Sequence, residues 1–237
     1  MTTLLVVLAL VTSVMVVVNL LTNLWARQHY LVISLWATGV LLAVAWLAGI
    51  TWSQLGLGFG GNAQTKGLIW SAALIGIVSV GYAIAAALPW TRKGFADART
   101  AQMGVGKFLY HCFLRIPVGT ALMEEVAFRG VLLAALTEAW GVIWGVAVSS
   151  LLFGFWHVLP ALEFHEASST TDRFGDGRKA KFMTVAGQVV ATGAAGVGFC
   201  LVRIWSDSLL PSIALHASLN ALGFALSWAF ARRLRDL

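Results

Sequence analysis

Glu124, Glu125 and Arg129 lie in a stretch, 117–137, that is otherwise apolar enough to cross a lipid bilayer. Each ionisable group at that depth costs roughly 2.5–3.5 kcal/mol on insertion scales. Three of them within about one and a half helical turns therefore mark a place where the chain uses charge. On a helix, residues four apart share a face, while sequence neighbours diverge by about 100°. Glu125 and Arg129 can pair, which lowers the cost of burying both, and are assigned to architecture. Glu124 points elsewhere, has no intrahelical cation at that spacing, and is assigned to chemistry. The competing assignment is one structural ion-pair knot containing all three.

Two further polar intrusions fall in apolar stretches: His157, at the end of Phe153-Gly154-Phe155-Trp156-His157, and His216 with Asn220, four residues apart and so on one helix face. Taken singly, such residues often only join helices by hydrogen bonds. Together with Glu124 they suffice for metal-free hydrolysis. A buried carboxylate beside an imidazole can take a proton from water and return it to a leaving amine. A carboxamide and an imidazole N–H can stabilise the oxyanion that develops on the attacked carbonyl. No Gly-x-Ser-x-Gly elbow is present, and neither cysteine has a persuasive histidine partner. Glu124, His157 and His216 would also be a legitimate zinc set, but the His-Glu-x-x-His spacing of helix-borne zinc sites is missing. The expectation is that no cofactor is required, with a divalent metal such as zinc as the alternative.

The elements that must position these groups are membrane helices. The chain of 237 residues is 59% hydrophobic and 11% charged, against about 25% charged in soluble domains. A span needs about 20 apolar residues, and seven stretches qualify: 4–22, 31–50, 67–90, 117–137, 141–160, 182–202 and 208–230. The first lacks the basic leader and small-residue cleavage site of a signal peptide. With the N-terminus outside, Arg27 and the basic residues of 92–115, 173–181 and 232–235 share the inner face, leaving only Lys66 and Arg203 outside. That bias fixes the expected orientation as N-terminus out and C-terminus cytoplasmic. It also accounts for the net charge of +6 without nucleic acid. Pro117 is expected in the first turn of the fourth span. The segment 94–115, which mixes Lys107, His111 and Arg115 with aromatic and aliphatic residues, is expected to lie on the cytoplasmic surface as an amphipathic helix. Cys112 and Cys200 fall on opposite sides, which argues against a disulfide. The polar segment 163–181 reads as a solvated inner loop, with a lid as the alternative. The fold class is thus all-α: a polytopic membrane protein of about seven transmembrane helices plus an interfacial helix before the fourth. It forms one domain over 1–237.

With these residues in hand, the sequence resembles the CAAX-processing and bacteriocin-processing family of intramembrane endopeptidases. The family motifs Glu-Glu-x-x-x-Arg, Phe-x-x-x-His and His-x-x-x-Asn match Glu124, Glu125 and Arg129, then Phe153 and His157, then His216 and Asn220, in order and on separate spans. The resemblance covers about 115–223, and the spans within 1–90 are not diagnostic. It implies Glu124 and His157 as the pair that activates water, and His216 and Asn220 as the oxyanion site, with Glu125, Arg129 and Phe153 in support. It further implies a membrane-associated peptide or protein substrate, lipidated or C-terminal, met within the lipid bilayer. The short loops and small size suggest a bacterial plasma-membrane protein.

Two other classes use the same features. A non-catalytic membrane module, of the partner-binding or bacteriocin-immunity type, would use the polar cluster for recognition. A proton-coupled transporter would use the Glu and His groups as a relay.

Overall fold

The computed structural model describes residues 2–58, 60–92, 95, 100, 102–167 and 177–235, and no strand occurs among them. Helix α1 runs Thr2–Leu20 and continues through widened turns over Leu21–Trp25. Helices α2 (Tyr30–Leu47) and α3 (Gly61–Ala87) follow, then α4, an unbroken helix over 105–140. The remainder is α5 (Val142–Trp156), α6 (Val158–Ala167), α7 (Arg178–Ser206) and α8 (Leu210–Arg235). Among the described residues, six helices are long and apolar enough to cross a membrane: Leu5–Trp25, Arg27–Leu47, Gly61–Ala87, Val142–Glu163, Arg178–Ser206 and Leu210–Arg232. The protein is an all-α, polytopic membrane protein.

The stretch expected as the fourth span is the middle of α4, which differs from the six in carrying Glu124, Glu125 and Arg129. It is also the axis of the bundle. From Ala121 to Leu136 every residue except Leu122 and Ala134 is buried. Glu124, Glu125 and Arg129 are thereby kept in a stretch of helix that protein, not lipid, surrounds. Val7, Val11, Met15 and Val18 of α1 recur at helical spacing and join Ala37, Leu41 and Ala45 of α2 and Met123, Val126 and Ala127 of α4 in one core. The opposite face of α1, with Leu5, Val6, Leu10, Val16 and Val17, is exposed, as suits a surface covered by acyl chains. Two ion pairs tie the two ends: Arg27, just after α1, with Glu163 of α6 at one, and Lys66 of α3 with Asp207, just after α7, 3.5 Å apart, at the other. Each pair links residues near span ends that alternating spans bring to the same face.

Two expectations change. Pro117 is not in the first turn but inside α4, because the turns over His111–Leu122 widen to i→i+5 hydrogen bonding. A widened turn re-pairs the carbonyls that a proline, lacking an N–H, leaves without a donor. The expected surface helix is accordingly, from Val105 onward, the start of α4 itself. Packing against α8 holds it there: the Phe108 ring stacks on Trp228 at 4.2 Å, and His111 on Phe224 at 5.3 Å. Residues 94, 96–99 and 101 of that segment lie outside the described residues, as do 168–176 of the 163–181 loop.

The connector after α2 is more than a link. Leu55 is buried in the core, and the Gly56 carbonyl accepts the Leu209 N–H at 2.8 Å. Arg203 Nη2 donates to the carbonyls of Ser53 (3.3 Å) and Gln54 (2.8 Å). Gly56 has φ +74°, and a Cβ there would stand 2.2 Å from Arg203 Nε. Glycine is required at this position both by the dihedral and by the guanidinium lying over it.

Candidate active site

The site is built where α5 and α7 cross closely enough to enclose the charged face of α4. Glycines permit the crossing. A Cβ on Gly154 would meet the Val189 carbonyl at 2.7 Å, and one on Gly196 would meet Ser150 Cα at 3.1 Å and Arg129 Nη2 at 3.3 Å. Small residues at helix contacts are the usual means of close approach in membranes. At Gly196 the missing side chain is also what seats the arginine.

Arg129 is fully buried. Its Nη1 donates to Glu125 Oε1 at 3.1 Å, the i, i+4 pair expected from spacing. Nε and Nη2 have no hydrogen-bond partner among the described residues. Instead the guanidinium carbon lies 4.0 Å from the centroid of Phe153 and 4.9 Å from that of Phe199. Ring faces stabilise a desolvated cation by about 2 kcal/mol, which makes an aromatic cage a workable substitute for further acceptors. Phe153 thus supports the site through its ring.

Glu125 is shared. Its Oε1 also faces His216 Nδ1 at 2.8 Å, so arginine, carboxylate and imidazole form a chain from α4 to α8. The His216 ring stacks on Phe199 at 5.1 Å. Its other nitrogen, Nε2, lies 3.9 Å from Glu124 Oε2, beyond hydrogen-bond reach. Glu124 Oε1 accepts the indole N–H of Trp156 at 3.0 Å, whereas Oε2 is buried with no hydrogen-bond partner among the described residues. The carboxylate is therefore anchored at one oxygen and open at the other.

His157 follows Trp156 at the end of α5. Its Nδ1 lies 2.8 Å from the Phe153 carbonyl, which can only accept. Nδ1 therefore carries the proton, and a neutral His157 presents Nε2 as a lone pair. The His157 ring meets Phe153 edge-on at 4.7 Å, and Phe153 in turn meets His216 at 6.0 Å. His157 is joined to the cluster through that phenyl ring, and no hydrogen bond to Glu124 occurs among the described residues. Asn220, one turn beyond His216, is exposed and makes no hydrogen bond among the described residues. Nor do three His, Cys, Asp or Glu side chains group as a metal-binding set among those residues. His157 and His216 each commit Nδ1 to another partner. Cys112 and Cys200 are free and buried.

Sequence reasoning missed Trp156 and Phe199. Trp156 left a signal, since it adjoins a singled-out histidine and carries an N–H that must be satisfied when buried. Phe199 left none; one phenylalanine in an apolar span says nothing until the neighbouring helices are in place.

No curated protein and no solved structure matches the chain. A family model does, the one described as type II CAAX prenyl endopeptidase Rce1-like, over residues 106–222. The matched segment holds α4 from its second residue, all of α5 and α7, and α8 as far as Asn220 and two residues beyond. Glu124, Glu125, Arg129, Trp156, His157, Phe199 and His216 all lie within it, so the segment that builds the site in this integral membrane protein is that of the Rce1-like family of type II CAAX prenyl endopeptidases.

Proposed function

We propose that the protein is an intramembrane endopeptidase that hydrolyses a peptide bond of a membrane-associated substrate, lipidated or C-terminal, by glutamate- and histidine-activated water. The observation that carries this reading is the half-anchored carboxylate. Glu124 is held at Oε1 by Trp156 and presents an unpartnered Oε2 beside His216 Nε2, 3.9 Å away. A base so placed keeps its orientation and one lone-pair-rich oxygen for a proton.

Glu124, with the bare Nε2 of His157, takes a proton from water, and the hydroxide so formed adds to the scissile carbonyl. His216 donates from Nε2 to the developing oxyanion, its imidazolium form stabilised by Glu125 at Nδ1. Asn220 supplies the carboxamide donor from the next turn of α8. The proton then passes from Glu124 to the leaving nitrogen, the C–N bond breaks, and an acid and an amine are released. No step requires a metal. Orientation with the N-terminus outside, in a bacterial plasma membrane, is part of the same proposal and rests on the distribution of Lys and Arg.

Glu124→Gln tests it. The amide keeps size and removes the base, so cleavage falls by about 10²–10⁴-fold, the usual worth of general-base catalysis. Peptides retained by this variant in native membranes are identified by mass spectrometry. Terminal peptides are then compared between cells with active and substituted protein. Absence of any Glu124-dependent new terminus, with partner association intact in both, would turn the reading to a binding module. Substrate flux into liposomes without a cleaved product would turn it to a transporter.

A further inference from the structure

The two ends of the bundle treat Glu124 differently. At the Lys66 and Asp207 end, the connector over 51–57 closes the helices. Its Leu55 carbonyl and the Leu209 side chain each lie 3.8 Å from where a Cβ on Gly130 would stand, one residue past Arg129. Arg203 holds the connector down through two backbone carbonyls. Leu55 and Leu209 of this plug lie within the core, and the polar residues buried beside them, Arg203, Ser206 and Ser212, are hydrogen-bonded to backbone carbonyls.

Toward the Arg27 and Glu163 end, the wall is polar. Thr120 sits one turn before Glu124 on α4. The Tyr30 hydroxyl, at the start of α2, lies 3.1 Å from Thr120 Oγ1 and within electrostatic reach of Glu124. Its ring packs on Gly119, where a Cβ would meet Cδ1 and Cε1 at 3.3 Å, and the Arg115 guanidinium lies 4.1 Å from the ring centroid. Thr120 donates to the Arg115 carbonyl at 3.4 Å, so Tyr30 O–H is the donor to Thr120. The Tyr30 oxygen keeps its acceptor lone pairs. A Tyr–Thr bond between helices is ordinarily only a joint. Here both residues are partly exposed, whereas Glu124 one turn deeper is buried with an unpartnered oxygen.

We propose that the hydroxyls of Tyr30 and Thr120 line the route by which water reaches Glu124, entering from the end of the bundle that carries Arg27, Arg115 and Glu163. Its purpose rests on the hydrolase reading; its existence does not. Tyr30 belongs to α2, outside the matched residues 106–222, so the family match assigns it no role. It acts as a positioning residue, ordering water in front of Glu124 through Thr120.

The route is tested in membrane vesicles with a membrane-impermeant methanethiosulfonate, in full-length protein with Cys112→Ala and Cys200→Ala. Lys107→Cys and Lys66→Cys are single-site markers of the two faces. Thr120→Cys is expected to react from the face that modifies Lys107→Cys and not from the face that modifies Lys66→Cys. Leu55→Cys is expected to react from neither. Modification of Thr120→Cys from the Lys66 face, or from neither face while the marker reacts, overturns the proposal. On a peptide recovered with Glu124→Gln, Tyr30→Phe is expected to lower kcat by about 3- to 10-fold, the loss of one neutral hydrogen bond, with KM unchanged. A change confined to KM, or none, overturns the positioning role. If no Glu124-dependent cleavage is found, the labelling pattern still decides the route, so the two failures are told apart.

Discussion

Arg129 makes one hydrogen-bonded ion pair and sets the rest of its guanidinium against the rings of Phe153 and Phe199. Removing one partner of such a buried pair costs about 3–5 kcal/mol, because the other charge is stranded. Arg129→Ala should therefore lower thermal stability in detergent as much as it harms activity. Replacing both charges, Glu125→Gln with Arg129→Met, should recover most of that loss, since neither charge of the pair is left stranded. A stable but inactive Arg129→Ala protein would place the arginine in chemistry instead. Trp156 tests a different bond. Trp156→Phe keeps an aromatic ring and deletes the N–H that anchors Glu124 Oε1. A hydrogen bond to a charged group contributes about 1.5–3 kcal/mol. If all of it serves to aim the base, kcat falls by roughly 10- to 150-fold, measured on the peptide retained by Glu124→Gln, while stability changes less.

At the scale of elements, the crossing of α5 and α7 decides whether the cage around Arg129 exists. Gly154 faces a backbone carbonyl at 2.7 Å, which cannot swing aside as a side chain can. Gly154→Val should cost about 1–3 kcal/mol through overpacking and should reduce hydrolysis by separating Phe153 from Phe199. Gly39→Ala, where a Cβ would meet nothing within 4 Å, is the control and should leave both unchanged. Thermal denaturation of the two variants in parallel checks the contrast. Helix α4 makes a related point. Its widened turns carry Pro117 inside a continuous helix and leave 105–140 as one rod between the α8 aromatic stack and the charged residues Glu124, Glu125 and Arg129.

For the whole molecule, the charged helix is the axis and the apolar helices are its solvent. A polar site survives in a bilayer only when protein or water surrounds it, and α1, α2, α5, α7 and α8 provide that shell. The plug over 51–57 closes one end, so access is one-sided. Metal dependence is also a property of the assembled site, because candidate ligands come from three helices. Hydrolysis is expected to persist after exhaustive chelation with EDTA and o-phenanthroline, measured on the trapped peptide. Loss of activity restored by zinc would instead assign Glu124, His157 and His216 as ligands.

Composition and spacing alone determined that this is a helical membrane protein and which apolar stretches form its helices, because bilayer thickness sets segment length and segment length is written in the residues. The Glu125–Arg129 pair was equally legible, since four-residue spacing on a helix is a local geometric fact. Tertiary structure decided the rest. His216 sits on Glu125 and faces Glu124, a bond across 91 residues of chain, and the aromatic cage draws Phe153 and Phe199 from different helices. The stretch 51–66 reads as a polar, glycine-rich link between spans until Arg203 and Leu209 draw its first part, 51–57, into the bundle. Such contacts depend on how helices rotate and cross. Close approach at a few glycines fixes that, and no local periodicity encodes it.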